Sequence, residues 1–223
     1  MDTREIEADV LKRISLRECL TIGHSNHTIE ELVQLLNRHR VDVIVDVRSM
    51  PYSKRQPQFN REALQQSLRA RNVAYLYMGD RLGARYSDPK LIRPDGRVDL
   101  KRVAELPAFQ SAIQSIVQAV EKGHRIALMC SEGDPFDCHR FVLVSRALQS
   151  AGVRMFHILP DGQLVCNSVL EDRLLEKYFP ESRDEPGLFV AETRSRQELV
   201  ELAYDKRAID VAYKAGTNEE EKA

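Results

Sequence analysis

The chain has 223 residues, with 33 Lys and Arg against 34 Asp and Glu and a formal net charge of −1, so its overall charge offers no argument for nucleic-acid binding. Hydrophobic residues make up 43% and charged residues 30%, an ordinary globular composition able to fill one domain core and its extensions; no apolar run approaches the roughly 20 residues of a membrane helix. The four cysteines (Cys19, Cys130, Cys138, Cys166) form no extracellular framework, and "MDTREIEADVLKRISLREC" has no apolar leader core, so a cytoplasmic setting with no membrane contact is expected.

Residues 1–18 read as a helical extension. "CLTIG" (19–23) is a short buried strand ending in glycine. In "HSNHTIEELVQLLNRHR", Thr28 and Glu31 make a capping box and Leu32, Leu35 and Leu36 one helical face. "VDVIVDVR" (41–48) is a β-branched strand of the type buried on both faces. "SMPYSKRQPQF" is a loop broken by Pro51 and Pro57, 60–71 a helix with Leu64 and Leu68 inward, and "VAYLYMG" (73–79) a third strand. The polar stretch 79–104 is long enough to predict a lid, a binding loop or poor order. A 3.6-residue period through Phe109, Ala112, Ile113, Ile116, Val117 and Val120 predicts a helix over 107–122, closed by Gly123. "RIALMCSE" (125–132) is a fourth strand, "CHRFVLVSRALQSAG" a helix, and "VRMFHIL" (153–159) a fifth strand followed by the turn "PDGQ". Alternating strands and helices predict an α/β fold: one three-layer domain over 19–180 with a mainly parallel sheet of about five strands. Residues 181–223 read as a linker, a helix over 188–214 and a disordered tail; Leu199, Leu202, Ala203, Ile209 and Tyr213 would cover the core or a second copy, so a homodimer is admitted.

Parallel sheets bind ligands at the carboxyl ends of their strands. There this chain carries Gly23, His24 and Ser25 after the first strand and Asp46, Arg48 and Ser49 at the second. The third ends in Tyr75 and Tyr77, and the fourth in Cys130, Ser131 and Glu132, leading to Cys138, His139 and Arg140. Blander roles compete. His24 or Ser25 would cap the first helix, Asp46 and Arg48 would form a structural ion pair, and His157 would be a satisfied core histidine.

"CSEGDPFDCHR" holds the densest chemistry. Either Asp134, followed by Pro135, or Asp137 can cap the next helix, which puts Cys138, His139 and Arg140 at its positive end. That favours thiolate at Cys138 while the neighbouring acids oppose it. Arg140 suits a two-pronged contact with phosphate or carboxylate. The loop is not glycine-rich, and the sixth position after either cysteine is Phe136 or Val144, so neither a phosphate loop nor a cysteine phosphatase is expected. The spacing of a zinc pair is missing, and Cys130, Cys138 and His139 would need a further ligand such as His24. No cofactor or metal ligand is therefore predicted, with zinc or iron left as an option.

"TIGHSNHTIEELVQLL", "VDVRSMPYSKRQPQFN", "LGARY", "ALMCSEGDPFDCHR" and "HILPDGQLVCNSVLEDRLLEKYF" resemble, in order over 20–179, the domain of unknown function 488 family. The resemblance implies an α/β parallel-sheet domain. It marks Gly23, His24, Ser25, Asp46, Arg48, Ser49, Cys130, Glu132, Cys138, His139 and Arg140 as characteristic positions and implies no reaction. The resulting expectation is an enzyme acting on a small phosphorylated, nucleotide-like or nucleic-acid-derived substrate. Cys138, His139, Glu132 and His24 would be its catalytic residues, and Gly23, Ser25, Asp46, Arg48, Ser49, Cys130 and Arg140 would bind the substrate. A small anionic ligand is the expected partner. The alternatives are a metal-binding protein and a non-catalytic module that reads nucleotide or nucleic acid through "SKRQPQFNR" and "RLGARYSDPKLIR".

Overall fold

The computed structural model describes residues 17–180 and 194–215; the expected extension over 1–16, most of the linker and the tail lie outside them. Among the described residues, six strands form one sheet in the order β3-β2-β4-β1-β5-β6. They are β1 (Glu18–Gly23), β2 (Val43–Asp46), β3 (Ala74–Tyr77), β4 (Ile126–Cys130), β5 (Arg154–Ile158) and β6 (Leu164–Cys166). All neighbours pair in parallel except β5 and β6. The sheet thus has one strand more than expected. The turn after β5 reverses the chain, and three residues without strong alternation pair along the sheet edge. Glu18, counted with the extension, is already in β1.

Among the described residues, eight helices flank the sheet: α1 (Ile29–Arg38), α2 (Arg61–Arg69), α3 (Gly79–Leu82), α4 (Leu100–Ala104), α5 (Pro107–Glu121), α6 (Arg146–Ser150), α7 (Asn167–Tyr178) and α8 (Arg196–Val211). Period-2 alternation splits the strands between two cores. Leu20, Ile22, Ile44, Ala127 and Met129 meet Leu32 and Leu36 of α1 and Leu64 and Leu68 of α2 on one face. Val45, Ile126, Leu128 and Met155 meet α5, α6, α7 and α8 on the other. The layers are therefore helix, sheet, helix. Thr28 caps α1 with the expected reciprocal bond to Glu31, and all six periodic residues of α5 are buried. Gly123 ends α5 at φ +91, where a side chain would be strained.

The stretch 79–104 is not a bare loop. It folds into α3, α4 and a 3₁₀ turn, and buries Leu82, Leu91, Val98, Leu100 and Val103. The helix expected from Cys138 starts at His139 and opens as a π turn over Arg140–Ser145, every residue of which is buried. In α8, Val200, Ala203 and Tyr204 close the core of the same chain. No helix among the described residues is long and apolar enough to cross a membrane.

Candidate active site

β1 leads through α1 to one side of the sheet, and β4 leads through the π turn and α6 to the other. The crevice where such paths diverge lies at the carboxyl ends of β1 and β4. The loop after β4 crosses the end of β1 there. His24 N donates to Cys130 O (2.9 Å) and Ser25 N to Ser131 O (2.9 Å). The crossing is so close that a Cβ on Gly23 would stand 1.8 Å from Glu132 O. Hence glycine belongs at 23 for backbone approach.

The rest of the loop is clamped from the helix layer. Asp134 caps a 3₁₀ turn, Pro135–Asp137, by accepting from Phe136 N, and it also pairs with Arg173 at 2.8 Å. Phe136 lies under two guanidiniums, Arg173 and Arg207, each 4.4 Å from its ring. Arg207 Nε donates to Phe136 O (3.0 Å), and its guanidinium pairs with Asp137. Asp137 is thus an ion-pair partner and not the helix cap. Arg140 has no solvent exposure and donates from Nη1 to Glu132 O (2.7 Å) and from Nη2 to Gly133 O (3.0 Å). It holds the loop's backbone in the way it was expected to hold an anion.

This scaffold brings four reactive groups together. Cys138 Sγ is 3.0 Å from Glu132 Oε2, and Arg140 N donates to Cys138 Sγ at 3.4 Å. His139 Nδ1 is 3.8 Å from both Cys130 Sγ and Cys138 Sγ. His139 Nε2 lies 3.2 Å from Val47 O. A carbonyl only accepts, so Nε2 carries the proton and the Nδ1 lone pair of the neutral ring faces the sulfurs.

Burial opposes ionisation of Cys138. A hydrogen bond from Cys130 and the charges of Arg140 and His139 outweigh it and bring the thiol well below its ordinary value. Cys130 moves the other way, pushed well up by its hydrogen bond with Cys138 and by burial. The pocket walls and the nearby Cys138 sulfur raise the Glu132 carboxyl. Burial would lower His139, but the Cys138 thiolate wins and raises it.

A second network lies behind the first. Arg48 donates from Nε to Asp46 Oδ1 (2.9 Å), and from Nη2 to Asp46 Oδ2 (2.6 Å) and Phe59 O (2.9 Å). Tyr75 OH also donates to Asp46 Oδ2, at 2.7 Å. Arg48 Nη1 meets His24 Nε2 at 3.2 Å, and His24 Nδ1 meets Ser25 O at 3.1 Å. A guanidinium only donates, so His24 keeps its proton on Nδ1. Burial and the Arg48 charge lower its pKa to about 4, and its ring stacks on Phe59 at 4.4 Å. Neither His24 nor Ser25 caps α1; Thr28 does. His157 is a satisfied core histidine, 2.8 Å from Thr21 Oγ1 and 3.0 Å from Asn167 Oδ1.

The four groups floor a pocket of about 340 Å³. Arg48, Ser49, Met50 and Arg85 line one side, and Val211, Ala212 and Tyr213 from the end of α8 line another. The expected residues Cys130, Glu132, Cys138, His139, Arg48 and Ser49 meet there, whereas Gly23, His24, Ser25, Asp46 and Arg140 do not line it. Arg85 belongs to the basic stretch "RLGARYSDPKLIR" offered for phosphate contact but is not among the expected site residues; the 211–213 wall was not anticipated, and nothing local marks it. In "SKRQPQFNR", Phe59 is buried, and Arg61 covers one face of Tyr77 at 4.3 Å.

A family model described as Domain of unknown function DUF488 matches residues 28–147. The match includes Asp46, Arg48, Ser49 and the loop from Cys130 to Arg140, and excludes Gly23, His24, Ser25 and the α8 wall. No curated protein and no solved structure matches the chain.

Proposed function

This chain belongs to the domain of unknown function DUF488 family, and from that premise, which brings a domain without a reaction, we propose that it is an enzyme acting on a small phosphorylated or nucleotide-like substrate in the pocket floored by Cys130, Glu132, Cys138 and His139. The observation that carries the reading is the 3.0 Å contact between Glu132 Oε2 and Cys138 Sγ on that floor. A sulfur favoured as thiolate beside a carboxyl whose pKa is raised is a pair that can exchange a proton during a reaction. In this reading Cys138 acts as thiolate, Glu132 moves protons, and His139 is a positioning residue anchored on Val47 O. The volume suits a small molecule. Arg85 on the wall supports an anionic one, and Arg140 acts from behind by its charge and by bracing the loop.

The test is a binding and turnover screen of the full chain with nucleoside monophosphates, ribose 5-phosphate and inorganic phosphate as probes. Saturable binding by one class is expected, weakened about tenfold in Arg85→Ala, the loss of roughly 1.4 kcal/mol. Glu132→Gln is expected to retain binding and lose turnover by about 100-fold or more. Absence of saturable binding across the panel, or full turnover in Glu132→Gln, overturns the reading.

A further inference from the structure

We infer that Cys130 Sγ, Cys138 Sγ and His139 Nδ1 together hold one Zn²⁺ ion, with the fourth position open to the pocket beside Glu132; the inference rests on the proposed function only in making that position catalytic. The three donor atoms lie within 4.8 Å of one another. Tetrahedral zinc with ordinary Zn–S and Zn–N lengths separates sulfur from nitrogen by about 3.6 Å and sulfur from sulfur by about 3.8 Å. His139 Nδ1 stands 3.8 Å from each sulfur, too far for a strong hydrogen bond and close to the span of a shared ion.

The surroundings fit the same reading. His139 is turned so that Nδ1 faces the sulfurs while Nε2 is anchored on Val47 O (3.2 Å), the outer contact by which a metal-bound imidazole is oriented. The Arg140 N–H directed at Cys138 Sγ (3.4 Å) supports a ligating thiolate. Two thiolates and Glu132 would crowd negative charge around the floor, where Arg140 Nη1 lies 4.0 Å from Glu132 Oε2; a divalent ion balances it. Two sulfurs and one imidazole select a borderline-soft metal over Mg²⁺ or Ca²⁺. All three donors line the pocket, and three protein ligands with an open fourth position distinguish a catalytic from a structural zinc site. The sequence spacing obscures this, because a strand end and a helix start, eight positions apart, stand in for a two-residue knuckle.

The full chain, purified without a polyhistidine tag or chelator, is analysed for metal, then stripped and titrated with Co²⁺ as a spectroscopic substitute. One ion per chain and a cobalt–thiolate charge-transfer band are expected, the band lost in Cys138→Ser and Cys130→Ser and affinity down by about 100-fold in His139→Ala. Because those variants could fail to fold, the wild type carries a second readout: Zn²⁺ shields Cys130 and Cys138 from alkylation, while the exposed Cys166 still reacts. No ion and no thiolate band in wild type, a band that survives Cys138→Ser, or a Cys130–Cys138 disulfide in reduced preparations overturns the inference. Metal bound without any probe binding overturns the proposed function alone, and probe turnover by stably metal-free protein overturns the zinc site alone.

Discussion

Gly23 shows how a residue with no side chain builds a site. Its missing Cβ lets Glu132 O pass over the end of β1, and Glu132 then points its carboxyl at Cys138. Gly23→Ala must push the backbone of the loop away, since a carbonyl at that distance is not the end of a flexible side chain. Such overpacking costs about 1–3 kcal/mol, and we expect that loss in urea denaturation together with altered alkylation of Cys138. An unchanged unfolding midpoint would show that the crossing yields without cost. Arg140 teaches the converse lesson. Its residue type and position suggest an anion clamp, but its planar fork is filled by two carbonyls of its own loop, a geometry that lysine cannot reproduce.

At the scale of elements, the reactive loop is held between the sheet and two helices distant in sequence. α7 supplies Arg173 and α8 supplies Arg207, and their guanidiniums enclose Phe136. That ring sits two residues before Cys138, so the clamp fixes where the π turn begins and where the sulfur lies. Phe136→Ala removes a buried ring and leaves both arginines without it. A loss of about 3–5 kcal/mol is expected from chemical denaturation, with weaker probe binding in the fraction that remains folded. Full stability in this variant would mean that the ion pairs of Asp134 and Asp137 hold the loop unaided.

The whole molecule carries its buried histidines neutral. His24 and His157 have pKa values near 4 in the folded chain, against an ordinary 6.5, chiefly through burial. The unfolded chain therefore takes up protons between pH 6.5 and 4 that the folded chain refuses. Their contribution to stability is complete above pH 6.5 and is lost as pH falls toward 4. Urea midpoints measured across that window should fall with pH, and His157→Gln should flatten the slope whatever its effect at neutral pH. An identical slope in the variant would mean that His157 accepts its proton without unfolding.

Much of the architecture was legible in local pattern. Apolar runs of strand length, the 3.6-residue period of α5 and the Thr28–Glu31 box predict their elements because each depends on neighbours within a few positions. Parallel order then directs attention to one sheet edge, where Cys130, Glu132, Cys138 and His139 do meet. Residue type and place in the chain could not say which way each side chain turns. Arg48 is spent on Asp46, Arg140 faces inward, His24 stacks on Phe59, and the wall of the pocket comes from Val211, Ala212 and Tyr213. Those outcomes depend on contacts between segments far apart in sequence, such as Arg207 with Phe136 and His139 with Val47. Sequence determined every strand but β6, the helices other than α3, α4 and α7, and the sheet edge where these side chains gather; tertiary structure alone decided which polar groups face the pocket, because a buried donor is directed by whichever distant acceptor satisfies it.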